Sequence, residues 1–336
     1  MAPSTEIHIP ASPTGRFANM LFFLVASLAR NAGFEGPWKA VITLGRDGDL
    51  TPDSPEFSWS RDYPVEFRHA DPQVWQECEA EATRRRAPGY IYNATILRQF
   101  TQPYEADMVI FMDADTLVTR PLPALMTRIR AAGALAAKPA WQPPPLDLAQ
   151  LLARAGLVDD GSQRITYSGY GWSFLEPQFG PPYLNAGFML CPLDVAERLR
   201  LALPRDFAFV AERYSGHYIW QAAQCLTVMR EAIPCMELDE RYNMGIGAPA
   251  PSILPGPAGA ALDALGEEQA RDAHVLHYCT PTPRFVRDRT MADDAALAAF
   301  LAAQDLDEGE AMLRDAMAPF AADWHARRKG PQGATG

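Results

Sequence analysis

Residues Met108-Val109-Ile110-Phe111-Met112 form an unbroken apolar run that stops abruptly at Asp113-Ala114-Asp115. A strand covered on both faces reads this way, because in a parallel sheet neither face meets water. Further strand signals lie at Glu6 to Ile9, Lys39 to Leu44, Val65 to Phe67, Phe188 to Cys191 and Val275 to Tyr278. Helical patterns separate them: Arg16 to Asn31, Val74 to Arg86, Tyr90 to Phe100, a helix from Pro121, another near Leu146 to Ala155, one from Leu193, and Tyr218 to Glu231. Strands alternating with helices predict an α/β fold, a mostly parallel sheet flanked by helices. Two Ala-rich helices, Asp293 to Ala303 and Glu308 to Arg328, predict a helical C-terminal subdomain over 291–330, after a main domain of 1–290 and before a disordered tail at 331–336. The stretches Pro139 to Pro182, with Trp141, Tyr167, Tyr170, Trp172 and Phe174, and Ala248 to Gly266 read as long loops.

With 336 residues, 48% of them hydrophobic and 21% charged, the chain can bury a substantial core and is neither fibrous nor disordered. A formal charge of -11 repels a polyanion, which argues against nucleic acid as a partner. It does not exclude a small anionic substrate, since a few Arg side chains, backbone amides or a metal ion suffice to hold one. The five cysteines are scattered and never spaced as CxxC, so neither a disulfide framework nor a zinc knuckle is predicted. The most apolar stretch, Phe17 to Ala29, is too short to span a bilayer. These features predict a soluble cytoplasmic protein with free thiols. The last helix, with Phe320, Trp324, Arg327, Arg328 and Lys329, could offer a peripheral contact to an anionic membrane, with packing on the domain as the simpler expectation.

Asp113 and Asp115 stand two residues apart on an extended segment and so present carboxylates to one side. Oxygen donors of this kind select a hard cation such as Mg²⁺ or Mn²⁺. In open α/β sheets ligands bind beyond the carboxyl ends of strands, which is where this acidic pair falls.

The segment from Phe111 to Val118 resembles the DxD segment of GT-A nucleotide-sugar glycosyltransferases, and the chain is most similar to the family 8 type, the glycogenin and lipopolysaccharide galactosyltransferase group. Leu184-Asn185-Ala186-Gly187-Phe188-Met189-Leu190 resembles that family's "FNAGVML" segment, which implies donor-sugar contacts from Asn185, Ala186 and Gly187. Val275-Leu276-His277-Tyr278 resembles its "IIHF" strand, which implies His277 as the third metal ligand beside Asp113 and Asp115, with Ala114 lying between them against the donor. The resemblance thus implies a GT-A, Rossmann-like fold and a bound Mn²⁺, Mg²⁺ being the alternative. It further implies a UDP-sugar donor, a carbohydrate or glycoconjugate acceptor, and transfer of a hexose with retention. The family's "GxxKPW" continuation is replaced here by Cys279-Thr280-Pro281-Thr282-Pro283-Arg284, which leaves Arg284 or Arg287 to meet the diphosphate. The family's "DQD" helix segment, followed about twenty residues later by "FN" or "YN", is matched in part: Tyr242-Asn243 is present, and counting back from it places Gln224 at the family's Gln, between Ala223 and Cys225, with Gln221 as an alternative one turn earlier. Arg98 matches the basic residue near the donor, and Ser12 and Thr14 stand where the family holds the nucleoside.

Three other readings can be set against the same residues. An inverting GT-A enzyme would need a carboxylate base, for which Glu212, Asp239 and Glu240 are candidates. A degenerate, glycosyltransferase-like binding protein would fit the altered glutamine helix. A sugar-nucleotide pyrophosphorylase would need a Gly-rich basic loop after the first strand, and Pro10 to Phe17 supplies only Gly15 and Arg16.

Overall fold

The computed structural model describes residues 2–45, 48–69, 96–100, 102–140, 147–161, 164–167, 178–214, 219–246 and 271–328. A seven-stranded sheet runs through the molecule in the order β10-β6-β9-β4-β1-β2-β3. Its members are β1 (Thr5–Ala11), β2 (Trp38–Leu44), β3 (Val65–His69), β4 (Met108–Met112), β6 (Leu135–Pro139), β9 (Leu184–Pro192) and β10 (Cys235–Glu237). Strands β1, β2, β3 and β4 are mutually parallel, as are β6 and β10. Strand β9 runs antiparallel to both of its neighbours, β4 and β6. The sheet is therefore mostly parallel, with one reversed strand at its centre.

Alternation along β4 explains its apolar run. Met108, Ile110 and Met112 enter one hydrophobic core, and Val109 and Phe111 enter the other. The first core packs helix α1 (Gly15–Asn31), helix α2 (Pro123–Ala132) and the C-terminal helices against the sheet. The second packs helix α3 (Leu148–Arg154), helix α4 (Leu193–Ala211) and helix α5 (Ile219–Arg230). A small second sheet, in the order β11-β12-β5, joins β5 (Thr116–Val118) to β11 (Tyr242–Gly245) and β12 (Val275–His277). Strands β7 (Ile165–Tyr167) and β8 (Gln178–Gly180) form a separate antiparallel pair.

Helix α6 (Arg287–Thr290), helix α7 (Asp294–Ala302) and helix α8 (Glu308–Arg328) do not stand apart from this core. Leu313, Met317, Phe320 and Trp324 of α8 are buried in the same cluster as α1. The buried amide of Asn19 locks the junction: Nδ2 donates to the Met291 carbonyl at 2.9 Å, and Oδ1 accepts from the Trp324 indole at 3.0 Å. Phe320 and Trp324 of α8 are turned inward, and Arg327 pairs with Asp62. No helix among the described residues is long and apolar enough to cross a membrane. Cys191, Cys225, Cys235 and Cys279 carry free thiols.

Several sequence expectations shift at their edges. The helix expected from Pro121 begins at Pro123, and the strand expected over Phe188 to Cys191 extends back to Leu184. Arg98 sits in a short 3-10 turn, Arg98–Phe100, rather than in a long helix. The expected helix at 74–86, residues 90–95, the loop aromatics Trp141, Tyr170, Trp172 and Phe174, the stretch 248–266 and the tail 331–336 lie outside the described residues.

Because Trp324 fills the main core and its indole N–H satisfies a buried amide, Trp324→Ala is expected to destabilise the chain by about 3–5 kcal/mol, read from urea unfolding midpoints. A loss confined to a separately melting C-terminal phase would contradict a shared core.

Candidate functional site

Strand β4 delivers Asp113 to the carboxyl edge of the main sheet, and β5 begins three residues later at Thr116. The intervening turn is held by the Thr116 hydroxyl, which donates to the Asp113 carbonyl at 2.7 Å. On the other side, the Asp113 amide donates to the Gly187 carbonyl at 3.1 Å, which prolongs the β4–β9 pairing. Strand β12 runs antiparallel to β5 with His277 opposite Thr116, and the Tyr278 amide donates to the Asp115 carbonyl at 3.0 Å. His277 Nε2 consequently lies 3.4 Å from Asp115 Oδ1 and 3.8 Å from Asp113 Oδ2. Ligand atoms of Asp113, Asp115 and His277 all fall within 4.8 Å of one another.

Electrostatics in this cluster follow from crowding two carboxylates out of water. Burial and the neighbouring Asp115 carboxylate push the Asp113 carboxyl up to about 6. Burial also works against the charge on Asp115, yet His277 and Arg287 outweigh it and hold that carboxyl well below the usual range. For His277 burial opposes protonation, but the Cys279 sulfur and the Asp115 carboxylate overcome it and raise the imidazole well above its ordinary value. The Arg287 guanidinium completes the set: it bonds the second oxygen of Asp115 and also Asp288 Oδ1 at 2.9 Å. Asp288 in turn pairs with Arg16 at the start of α1 at 3.0 Å. The loop from His277 to Arg287 is held by the buried Glu310, which accepts from the Thr282 hydroxyl at 2.5 Å and the Arg284 amide at 2.7 Å.

A ring of amides surrounds the imidazole. His277 Nδ1 lies 2.8 Å from Asn243 Oδ1, and Asn243 Nδ2 donates to Asn185 Oδ1 at 2.8 Å. Asn185 Oδ1 also accepts from the Gly187 amide at 2.8 Å. Gly187 is obligatory for a reason the sequence did not reveal: a Cβ there would lie 2.5 Å from His277 Cε1 and Nδ1. The space its missing side chain leaves is taken by the imidazole. Beneath Asn243, the buried ammonium of Lys138 donates to the Asn243 carbonyl at 3.0 Å and to Glu240 at 2.6 Å. Asn243 matched a motif position without a role attached, and Lys138 was not read from sequence at all, although a lysine inside Leu135-Ala136-Ala137-Lys138-Pro139 is a signal, since a cation in an apolar strand must have partners.

The remaining sequence candidates fall in three places. Arg98, Ser12 and Thr14 gather at the carboxyl ends of β1 and β2: Arg98 is buried and donates to the Ala11 carbonyl at 2.8 Å, and its guanidinium fills the space over Gly45. Thr14 caps α1 in extended conformation without a side-chain bond, and its Oγ1 finds no partner among the described residues. Gln224 is fully buried in the second core, where its amide donates to Met189 Sδ at 2.9 Å, which leaves Gln221, 6% exposed, as the outer of the two glutamines. Ala114 and Ala186 are buried in the two cores. Arg284 points elsewhere, pairing with Asp305 on the surface at 2.6 Å, so Arg287 is the arginine that reaches the acidic pair.

No family model matches the sequence, and no curated protein matches it. Solved structures do. The bifunctional glycosyltransferase WbbM, in its apo structure, is 13% identical and aligns over 97% of this chain with a TM-score of 0.51. This chain spans 52% of WbbM, about half its length. The galactosyltransferase LgtC, solved with donor and acceptor sugar analogues, is 14% identical and aligns over 96% of this chain and 99% of its own, with a TM-score of 0.50. An active-site variant of LgtC aligns over 87% of this chain and 93% of its own, with a TM-score of 0.51 and 14% identity. At these identities the likeness establishes architecture: the chain has the fold of the GT-A glycosyltransferases.

Proposed function

We propose that this protein is a glycosyltransferase that moves a hexose from a UDP-sugar to an acceptor hydroxyl with retention at the anomeric carbon. The observation that carries the reading is the Asp113, Asp115 and His277 cluster at the carboxyl end of β4, on a fold shared with LgtC and WbbM. Two carboxylates and an imidazole nitrogen suit a divalent ion, and the imidazole moves the preference towards Mn²⁺. Such an ion, held by these three side chains, supplies Lewis-acid charge to a departing diphosphate.

The other groups have work suited to this reaction. Arg287, fixed beside Asp115, offers a guanidinium for bidentate binding of phosphate oxygens. Asn185, its carbonyl oxygen engaged by Gly187 and Asn243, keeps its Nδ2 donor for a sugar hydroxyl. Arg98, Ser12 and Thr14 lie at the sheet edge where a nucleoside would sit. Of the carboxylates that an inverting reaction would call on, Glu212 pairs with Arg213, Asp239 with Arg241, and Glu240 with Lys138. Gln221 is then the polar group assigned to the sugar's reacting face. A screen of UDP-, GDP- and CMP-sugars for metal-dependent donor hydrolysis tests the whole reading, and no turnover of any donor would overturn it.

Three outcomes are expected. Asp113→Ala and Asp115→Ala should each abolish Mn²⁺-dependent UDP binding in calorimetry while leaving circular dichroism unchanged, since each removes a charged ligand, and Asp113→Ala also relieves repulsion. Apparent Mn²⁺ affinity should rise with pH, because the ion must displace the proton from His277, whose pKa is raised, and below about 6 a further one from Asp113. His277→Ala should lower affinity and flatten the upper part of that profile. Finally, NMR of the product should show the donor's α configuration, and Gln221→Ala should slow turnover far more than it weakens UDP binding; a β-linked product would remove retention.

A further inference from the structure

We propose that Asn243 is a positioning residue that decides which nitrogen of His277 faces the acidic pair, its polarity dictated by a backbone amide on β9. The inference rests on the metal reading of the cluster for its consequence, but the arrangement itself follows from donors and acceptors alone.

A backbone N–H can only donate, so the Asn185 atom 2.8 Å from the Gly187 amide is the carbonyl oxygen. That oxygen can only accept, so the Asn243 atom 2.8 Å from it is the amide nitrogen. The other end of the Asn243 side chain is then its oxygen, and it lies 2.8 Å from His277 Nδ1. An oxygen acceptor there requires a proton on Nδ1. When the ring is neutral the lone pair therefore resides on Nε2, the nitrogen 3.4 Å from Asp115 and 3.8 Å from Asp113. An amide flip or the other tautomer would leave two acceptors or two donors face to face, so the chain of bonds fixes the ligand nitrogen without reference to any ion.

The backbone is built to put Asn243 there. In the β11–β12 pairing Tyr242 stands opposite Val275 and Met244 opposite Leu276, so Asn243 is the extra residue of a bulge. Its φ is 103° and it is wholly buried. Bulges re-aim side chains, and a positive φ is a position that glycine fills most cheaply. Glycine would supply no amide, whereas asparagine tolerates the left-handed region better than most residues and brings both a donor and an acceptor. Lys138 anchors the strained peptide through the Asn243 carbonyl, and Glu240 anchors Lys138.

The test uses the full chain, with Mn²⁺ binding, urea unfolding and histidine NMR as readouts. Asn243→Gly keeps the positive φ but deletes both bonds; Asn243→Asp keeps an acceptor for Nδ1–H and replaces the bond to Asn185 with a contact between two acceptors. With Mn²⁺ alone as the probe, Asn243→Gly should bind about 10–100-fold more weakly than the parent, the usual effect of losing a histidine's outer hydrogen bond, with the urea midpoint read in parallel to show that the chain is folded. Asn243→Asp should bind close to the parent. Separately, nitrogen-15 histidine NMR of the metal-free chain, at a pH high enough to neutralise the ring, should show His277 protonated on Nδ1 in the parent and a mixture of tautomers in Asn243→Gly. Equal Mn²⁺ affinity in the parent and Asn243→Gly, an equal loss in Gly and Asp variants, or a parent ring protonated on Nε2 would each overturn the proposal. Should Asp113→Ala bind Mn²⁺ as the parent does, the metal reading falls instead, and the NMR comparison alone decides the role of Asn243.

Discussion

Two carboxylates two residues apart, withdrawn from water at the end of a buried strand, repel one another, and most of what surrounds them answers that repulsion. Asp115 keeps its charge because His277 and Arg287 lie against it, while Asp113 yields by holding its proton more tightly. The chain by itself thus balances two acids with one imidazole and one guanidinium. On the proposed reading, a divalent ion held by Asp113, Asp115 and His277 would take over that balance and leave Arg287 to meet a second anion. The groups that balance the site alone would then be the ones that the proposed diphosphate calls on.

The scaffold's part is to bring these groups from distant stretches of chain to one edge. Strand β4 ends in the acids, reversed β9 lays Gly187 beside them, and the small sheet folds β12 back across β5 so that His277 arrives opposite Thr116. Close packing makes the arrangement exacting. The imidazole occupies the space a side chain at residue 187 would need, and Asn243 occupies a bulge that only the pairing of β11 with β12 creates.

How far this could be read in advance depended on whether the determining physics was local. Strand β4 was legible because burial on both faces leaves an unbroken apolar run, and the acids at its end were legible because strand ends in such sheets carry sites. The reversal of β9 was not, since hydropathy carries no direction, and β6, β10 and β11 are too short or too mixed in pattern to announce themselves. The choice between Arg284 and Arg287 turned on a loop whose course is set by Glu310, more than twenty residues later. Gln224 matched a motif position yet points into the core, because α5 presents it to Met189. The Asn185, Asn243 and His277 chain lay beyond sequence reasoning because it joins residues 58 and 34 positions apart through a bulge.

The placement of β9 has a consequence for how the molecule comes into being. The centre of the sheet pairs Thr5 with Met108 and Met108 with Pro192, so its middle strands meet only after loops of many tens of residues have closed. Such non-local pairing is slow, and during synthesis β1 and β4 emerge well before the partner that covers β4. His277 comes later still. The acidic end of β4 therefore waits, charged and soluble, through the period when its apolar body is most prone to misassociate. The two carboxylates that close β4 are also the charged flank of its apolar run, the kind of residue that discourages a bare strand from misassociating.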